Sequence, residues 1–543
     1  MTKKQKAHEP LRFITATSLF DGHDASINIM RRILQDCGAE VVHLGHNRGV
    51  VEIVKAAVEE GAHGIAVSSY QGGHMEFFTY LVDLLRERGC PYVKVFGGGG
   101  GVIVPDEIRE LEACGVAKIY SPEDGRTMGL KGMITHMMGL ASGVRIPPVE
   151  LSRAALSRDP VTVGRLIGQA EHARFAGDRS FEPMRAFLKG FESKAPVVGI
   201  TGTGGSGKSS FIDELLRRLL SRYPDKHVAV LSVDPTRVRS GGALLGDRIR
   251  MNQIDDERVF MRSMATRASR DELSGAIHDA LAVVKAAGYD LVIVETSGIG
   301  QADTAVTQVS DFPVYVMTAE FGAPTQLEKI DMLDFAGMVV VNKFEQEKSL
   351  DALKHVRKQF MRNHGLFGER PEDLPVFGTV ASRYDDPGMD RAFAHLVKGL
   401  GEKGLVDWEA PEAVDAPEEK VHEGIVPSSR QQYLSRIAGA VRGYHARSAE
   451  VGDRIGKARA AQELLAEAGD DEAQALRRRL SALKKGVAKE DLELLNAWDR
   501  ASERYRAKTY SYTVRDKKIQ VSLTRESLSG LQIPKVALPS FSD

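Results

Sequence analysis

A chain of 543 residues is long enough for several domains, and its formal net charge of -1 gives no global field to draw nucleic acid or an anionic membrane. Its three cysteines, Cys37, Cys90 and Cys114, suit neither a disulfide framework nor a zinc site by number or spacing, so a reducing cytoplasm is the expected compartment. No apolar run reaches the roughly 18 residues of a membrane span, and the basic N-terminal stretch MTKKQKAHEP lacks the apolar core of a signal peptide.

Residues 11 to about 140 alternate short apolar strands, Phe13 to Ser18, Val41 to Leu44, Gly64 to Ser68 and Tyr92 to Phe96, with helical stretches. That alternation predicts a parallel sheet with helices on both faces. The first strand runs into LFDGHDASINIM, where Asp21, Gly22 and His23 crowd together before an amphipathic helix. On these residues alone the stretch reads as a βα loop with an Asx turn and a surface histidine. Residues of about 150 to 190 read as helical and connecting.

A second alternation runs from Pro196 to about 410, with strands at Val197 to Thr201, Val228 to Val233, Leu291 to Glu295, Val314 to Thr318, Met338 to Asn342 and Val376 to Val380. Between its first strand and the following helix, GITGTGGSGKSS matches G-x-x-x-x-G-K-S. Gly202, Gly204, Gly205, Ser206 and Gly207 let backbone N–H groups turn around a phosphate chain. The helix beginning near Ser210 adds its positive end, with Lys208 reaching the outer phosphates and the Ser209 hydroxyl a magnesium ion.

The stretch VVVNKFE offers Asn342, Lys343 and Glu345 where guanine-nucleotide proteins have Asn-Lys-x-Asp. Guanine presents N1–H and a 2-amino group on one edge, which a single carboxylate accepts together, and adenine presents neither. Glu345 is one methylene longer than Asp; the alternative is a strand end with surface charges. Ala381 and Ser382, in VFGTVAS, are expected near the base. LVIVETSGIGQ carries Glu295 toward the metal and Gly298 toward the γ-phosphate. In SVDPTRVRSGGALLGDRIRM, Asp234 and Asp247 flank a flexible Gly-Gly segment and are candidate Mg²⁺ ligands, or else partners of Arg237, Arg239 or Arg248. Gln301 either positions water or caps the next helix. After the Pro- and acid-rich EAPEAVDAPEEK, residues 428 to 507 have helical spacing.

ETSGIGQ, DRIRM and ITGTGGSGKSS together resemble the G-protein chaperones of adenosylcobalamin-dependent mutases, over about 155 to 415. The resemblance implies hydrolysis of GTP to GDP, with Lys208, Glu295 and Gln301 as the catalytic set, and control of cofactor loading on a mutase. It also gives the opening loop a new meaning. Cobalamin domains that bind the cofactor with a histidine on cobalt carry D-x-H-x-x-G, then S-x-L and G-G at set intervals. Here Asp21 and His23 begin the pattern, 41 residues separate Ser26 from Ser68, and 26 separate Tyr70 from Gly97 and Gly98. Ser26 stands in place of the Gly and Tyr70 in place of the Leu. FMN-binding and phospho-acceptor versions of the fold are alternatives, but a phospho-acceptor needs acidic residues near the start of the first strand, and LRFITATSLF has none. The resemblance implies His23 as the cobalt ligand, Asp21 as acceptor of its other ring N–H, Gly22 in the same loop, and Ser68, Gly97 and Gly98 beside the nucleotide tail.

The C-terminal YSYTVRDKKIQVSLTRESLSGLQIPKVALPSFSD resembles the opening segment of acyl-CoA mutase substrate domains, and the whole chain is similar to the fused isobutyryl-CoA mutases. The implied organisation is a flavodoxin-like, Rossmann-type α/β cobalamin-binding domain (1–150), a P-loop GTPase domain (151–415), an α-helical linker (416–507) and the start of a substrate barrel (508–543). The implied cofactors are adenosylcobalamin and Mg²⁺, and the implied substrate is an acyl-CoA held by the barrel. The implied reaction is the radical interconversion of isobutyryl-CoA and n-butyryl-CoA. A homodimer and an adenosyltransferase that loads the cofactor are the implied partners. A stand-alone cobalamin-binding G protein acting on a separate mutase is the competing reading.

Overall fold

The computed structural model describes residues 9–538 apart from 151, 153–155, 192–193, 238, 247, 268–272, 297–303, 347, 413–432, 516 and 528–529. It divides into two units, Met1–Lys420 and Val421–Asp543. Among the described residues, no helix is long and apolar enough to cross a membrane.

The first unit opens with β1 (Arg12–Ser18), α1 (Ala25–Asp36), β2 (Glu40–Arg48), α2 (Val50–Glu59), β3 (Gly64–Ser68), α3 (His74–Glu87), β4 (Lys94–Gly98), α4 (Pro105–Cys114), β5 (Lys118–Tyr120) and α5 (Pro122–Ser142). All seven residues of β1 are buried, and successive side chains serve opposite faces. Ile14 joins Val42 and Ile65 against α2 and α3. Phe13 joins Val41 and Phe96 against α1 and α5. A strand covered on both sides has no solvent-facing side, and β1 accordingly buries Arg12, Thr15, Thr17 and Ser18 along with its apolar residues.

After α6 (Pro160–Ala176) and α7 (Glu182–Leu188) come β6 (Val197–Gly202), α8 (Lys208–Arg222), β7 (Val228–Asp234), β8 (Ala243–Leu245), β9 (Val259–Ala265), α9 (Ile277–Ala286), β10 (Leu291–Thr296), β11 (Phe312–Thr318), β12 (Met338–Asn342) and β13 (Val376–Thr379). The second sheet has the order β13-β12-β11-β6-β10-β7-β9, and its strand pairs are parallel. In the first sheet the strand order reverses at β1, and in the second later strands lie on both sides of β6; ligands of open α/β sheets bind beyond the carboxyl end of such a strand. The DGH loop follows β1 and the glycine-rich loop follows β6.

β8 corrects one expectation. The Gly-Gly segment expected to be flexible contributes a parallel edge strand to the first sheet, whose order is β5-β4-β3-β1-β2-β8, with Glu40, Val41 and Val42 opposite Ala243, Leu244 and Leu245. Gly242 is what lets it dock: a Cβ there would stand 2.3 Å from the Gln35 carbonyl oxygen and 2.7 Å from that of Ala39. Burial of Ala243 and Leu245, together with the pairing needs of the β2 edge, decides the conformation.

β9 was also not anticipated, because Arg262 interrupts its apolar run. Arg262 is only 1 % exposed and pairs with Glu171 of α6. It belongs to a buried ionic cluster that draws on both sheets. Arg12 contacts Glu40 at 2.7 Å and Glu171 at 3.0 Å, Arg267 contacts Glu40 at 2.8 Å, and Arg248 contacts Glu59 at 2.6 Å and Glu60 at 3.3 Å. Burial pushes the Glu171 and Glu40 carboxyls up, but the neighbouring guanidiniums, Arg12 foremost, hold both below the usual carboxylate range.

The second unit contains helices Tyr433–Glu467, Asp470–Lys484 and Lys489–Arg506. Two antiparallel strand pairs follow, Thr509–Val514 with Lys517–Ser522 and Thr524–Glu526 with Gln532–Pro534.

Candidate functional site

The loop after β1 is organised around Asp21, which is fully buried. Its Oδ1 accepts the His23 backbone N–H at 2.9 Å and lies 2.8 Å from His23 Nδ1, and its Oδ2 accepts the Tyr70 N–H at 2.7 Å. Burial raises the carboxyl, but the Tyr70 and His23 amides and the His23 ring outweigh it, so Asp21 sits below its ordinary value and is ionised. An ionised carboxylate can only accept, so Nδ1 carries the proton and Nε2 is the nitrogen left for a ligand. The His23 side chain is 71 % exposed, so that nitrogen is accessible.

The turn is fixed from below. Thr17 donates its hydroxyl to the Asp21 carbonyl at 2.8 Å, and Asn47 Oδ1 accepts the Phe20 N–H at 2.7 Å, holding Phe20 at a left-handed φ of 64°. Gly22 is exposed within this turn. Ser68, Gly97 and Gly98 end β3 and β4 beside it, in register. The Ser68 hydroxyl is buried without a hydrogen-bond partner, which suits a ligand atom arriving at that point. Asn47, Ser69 and Tyr70 carry the arrangement as much as the pattern residues do. Only Tyr70 stood out in the sequence, as a departure.

At the second site, Gly202 ends β6 at φ 147°, and a Cβ there would stand 1.8 Å from the Val316 carbonyl oxygen, so only glycine fits. Gly204 and Gly205 form the turn, and Gly207 precedes α8, whose first residues are Lys208, Ser209 and Ser210. Lys208 Nζ donates to the carbonyls of Gly202 at 3.0 Å and Thr203 at 3.3 Å. The Thr203 and Ser206 hydroxyls are buried without a partner, as a phosphate cradle requires. Asn342 ties this loop to the far end of the sheet. Its Nδ2 donates to the Ser206 carbonyl at 2.8 Å, while its Oδ1 accepts from the Thr379 hydroxyl and the Ala381 N–H, both at 3.1 Å. Lys343 takes a left-handed φ of 57°, and Glu345 is exposed.

Between the two ends, Ser209 Oγ donates to Glu295 Oε1 at 3.0 Å. Glu295 Oε2 and Asp234 Oδ2 are buried and unpartnered. Burial pushes Glu295 up to about 7, against the charge of Lys208, and Asp234 up to about 6, against that of Arg250. A serine hydroxyl with two underneutralised carboxylates fits a divalent cation whose other ligands are phosphate and water. Among the described residues no three His, Cys, Asp or Glu side chains cluster as a protein-only metal site. Arg237 is engaged elsewhere, with Asp36 at 2.9 Å, and so does not balance Asp234. Asp247, Gly298 and Gln301 lie outside the described residues.

Two family descriptions match the chain: the B12 binding domain over residues 11–127, and the methylmalonyl-CoA mutase-associated GTPase MeaB over residues 164–387. Fold and site thus define a B12-binding α/β domain joined to a P-loop GTPase. The fused isobutyryl-CoA mutase of Geobacillus kaustophilus is 52% identical over 98% of this chain and 50% of its own length, and that of Cupriavidus metallidurans 49% identical over 98% and 49%. The methylmalonic aciduria type A homolog of Caenorhabditis briggsae is 36% identical over 30% of this chain and 41% of its own length. The chain thus matches the fused isobutyryl-CoA mutases along nearly all of its own length, and it spans about half the length of the curated relatives it matches.

Proposed function

We propose that this chain is the cofactor-handling and GTP-hydrolysing half of an adenosylcobalamin-dependent acyl-CoA mutase that interconverts isobutyryl-CoA and n-butyryl-CoA. Residues 1–150 bind the cofactor, 151–415 the nucleotide, 416–507 connect, and 508–543 begin the barrel that holds the acyl-CoA. His23 offers Nε2 to cobalt, Asp21 fixes its tautomer, and Gly22, Ser68, Gly97 and Gly98 border the tail. When bound, adenosylcobalamin supplies the radical initiation that a carbon-skeleton rearrangement needs.

Gly202 to Ser210 cradle the phosphates of GTP, with Lys208 countering their charge. Ser209, Glu295 and Asp234 hold Mg²⁺, joined by Asp247, and Gly298 and Gln301 serve the γ-phosphate and its attacking water. Asn342, Lys343, Glu345 and Ala381 select guanine. GTP hydrolysis gates cofactor loading and protection. The complete enzyme is a homodimer that receives its cofactor from an adenosyltransferase.

The observation that carries this reading is the Asp21 carboxylate fixing the His23 tautomer in the same body that holds the Ser209–Glu295 pair. The test is to titrate the purified chain with cobalamin and GTP together. The expected result is a base-off, histidine-bound cobalamin spectrum and Mg²⁺-dependent GTP turnover. Isomerase activity is expected only when a substrate barrel is supplied. Isomerisation by this chain alone, or cobalamin bound with its own base on cobalt, would overturn it.

A further inference from the structure

The two departures from the cobalamin-domain pattern are bonded to each other. The Ser26 hydroxyl, in the first turn of α1, lies 2.7 Å from the Tyr70 hydroxyl. Tyr70 is also anchored at its backbone, by the bond from its N–H to Asp21. Its ring sits 5.6 Å from the His23 imidazole, tilted by 46°. On the remaining side it packs against Gly100, where an added Cβ would stand 2.9 Å from Tyr70 Cε1. One side chain therefore spans the loops after β1, β3 and β4, close to the buried, unpartnered Ser68 hydroxyl. A Gly–Leu pair at these two positions has no hydroxyl on either side and cannot make the bond.

Each hydroxyl here answers the other, so neither needs a ligand to be satisfied, and the pair bridges α1 and the loop at Gly100. We infer that Tyr70 is a latched gate on the ligand site at Ser68. The bond to Ser26 holds the ring across it in the free protein, and admission of an aromatic base carried on a ribose phosphate requires that bond to break and the ring to turn away from Gly100. The inference rests on the cobalamin reading of His23 and Ser68 and adds to it a step that controls how fast the tail goes in.

The gate has a kinetic signature. Losing one neutral hydrogen bond favours the open form by about 2- to 10-fold, and association through that form accelerates by the same factor. The test is stopped-flow absorbance with adenosylcobalamin and the full chain as wild type, Tyr70→Phe, Ser26→Ala and the double variant. Both singles are expected to bind about 2- to 10-fold faster, and the double variant no faster than the quicker single, because both remove one bond. All four should reach the same base-off, histidine-bound spectrum. Unchanged rates in both singles, additive acceleration in the double, or slower binding by Tyr70→Phe would overturn the latch; the last would make the hydroxyl a contact to the bound tail. Equal acceleration of cobinamide, which has no tail, would overturn it as well. A wild-type protein that never gives the base-off spectrum removes the cofactor reading and the latch together, whereas a normal spectrum with unchanged rates removes the latch alone.

Discussion

Leu244 lies opposite Val41 in parallel register, so a segment that leaves the nucleotide-binding sheet after β7 becomes the edge strand of the cofactor sheet. Just beyond this strand, Arg248 grips Glu59 and Glu60 of the first sheet's α2 region, and the charge of Arg250 bears on Asp234 and Glu295. The described residues from Ala243 to Arg250 thus pair with the cofactor sheet, join the buried ionic cluster and bring a charge to bear on the candidate metal site.

The first prediction is that nucleotide and cobalamin affinities are linked through this segment. Linkage must be reciprocal, and typical couplings are about 5- to 150-fold. Calorimetry with cobalamin and a non-hydrolysable GTP analogue measures all four arms of the cycle. Gly242→Ala, which cannot keep its approach to Gln35 and Ala39, should bring the coupling factor to within about twofold of unity while each ligand still binds. A coupling that survives Gly242→Ala would route the communication elsewhere.

The second prediction concerns cobalt. His23→Ala should still take up some cobalamin through the tail cleft but lose the protein nitrogen on the metal. Electron paramagnetic resonance of the cob(II)alamin complex reads that nitrogen directly, and an axial splitting unchanged by the substitution would exclude His23 as ligand. Asp21→Asn should retain the ligand but loosen its tautomer, weakening binding about 10- to 100-fold, as loss of an outer hydrogen-bond partner does at metal sites.

How much of this was legible depends on whether the signal was local. The phosphate loop was, because Gly202 to Ser209 are consecutive and their spacing encodes the turn. The β1 loop was legible only as spacing, since Asp21, Ser68 and Gly97 meet through sheet register. β8 was not, because a three-residue strand whose partner lies about 200 positions earlier has no periodicity of its own. β9 was hidden by Arg262, whose charge is neutralised by Glu171, a partner no window of sequence contains. Ser26 and Tyr70 were visible as separate departures, but their bond was not.

The third prediction addresses acid stability. His43 is buried against the Thr15 hydroxyl at 3.0 Å, and burial, with the charge of Arg31, pushes it down to about 4. A histidine held neutral in the fold takes up its proton only in the unfolded chain between pH 6.5 and about 4, so stability falls as pH drops through that window and is unaffected by this group above it. The penalty approaches about 2–3 kcal/mol at pH 4.5. His43→Asn keeps a partner for Thr15 without the titration. Its unfolding free energy, followed by urea titration at pH 7.5 and pH 4.5, should drop less than that of the wild type by about that amount. Parallel losses in the two proteins would mean that His43 does not set the acid limb.

The last prediction separates the phosphate and base ends of the nucleotide site. Lys208→Ala removes the ammonium proposed to face the phosphates, and Ser209→Ala removes both a proposed cation ligand and the bond to Glu295, leaving that carboxylate with neither oxygen hydrogen-bonded by protein. Both should lower GTP turnover by about 100-fold or more, since the chemistry is almost wholly electrostatic, while cobalamin binding by the first sheet is retained. Glu345→Gln should act differently, because Glu345 is exposed and follows β12 rather than β6, and replacing its carboxylate by an amide removes a charged acceptor but keeps its size. GTP affinity should fall by about 10-fold or more with turnover at saturation little changed, and the preference over ATP should narrow. Competition experiments on the wild type provide the reference: equal inhibition by GDP and ADP would refute guanine selection at Asn342 to Glu345, and wild-type turnover by both Lys208→Ala and Ser209→Ala would refute the phosphate assignment independently of the base.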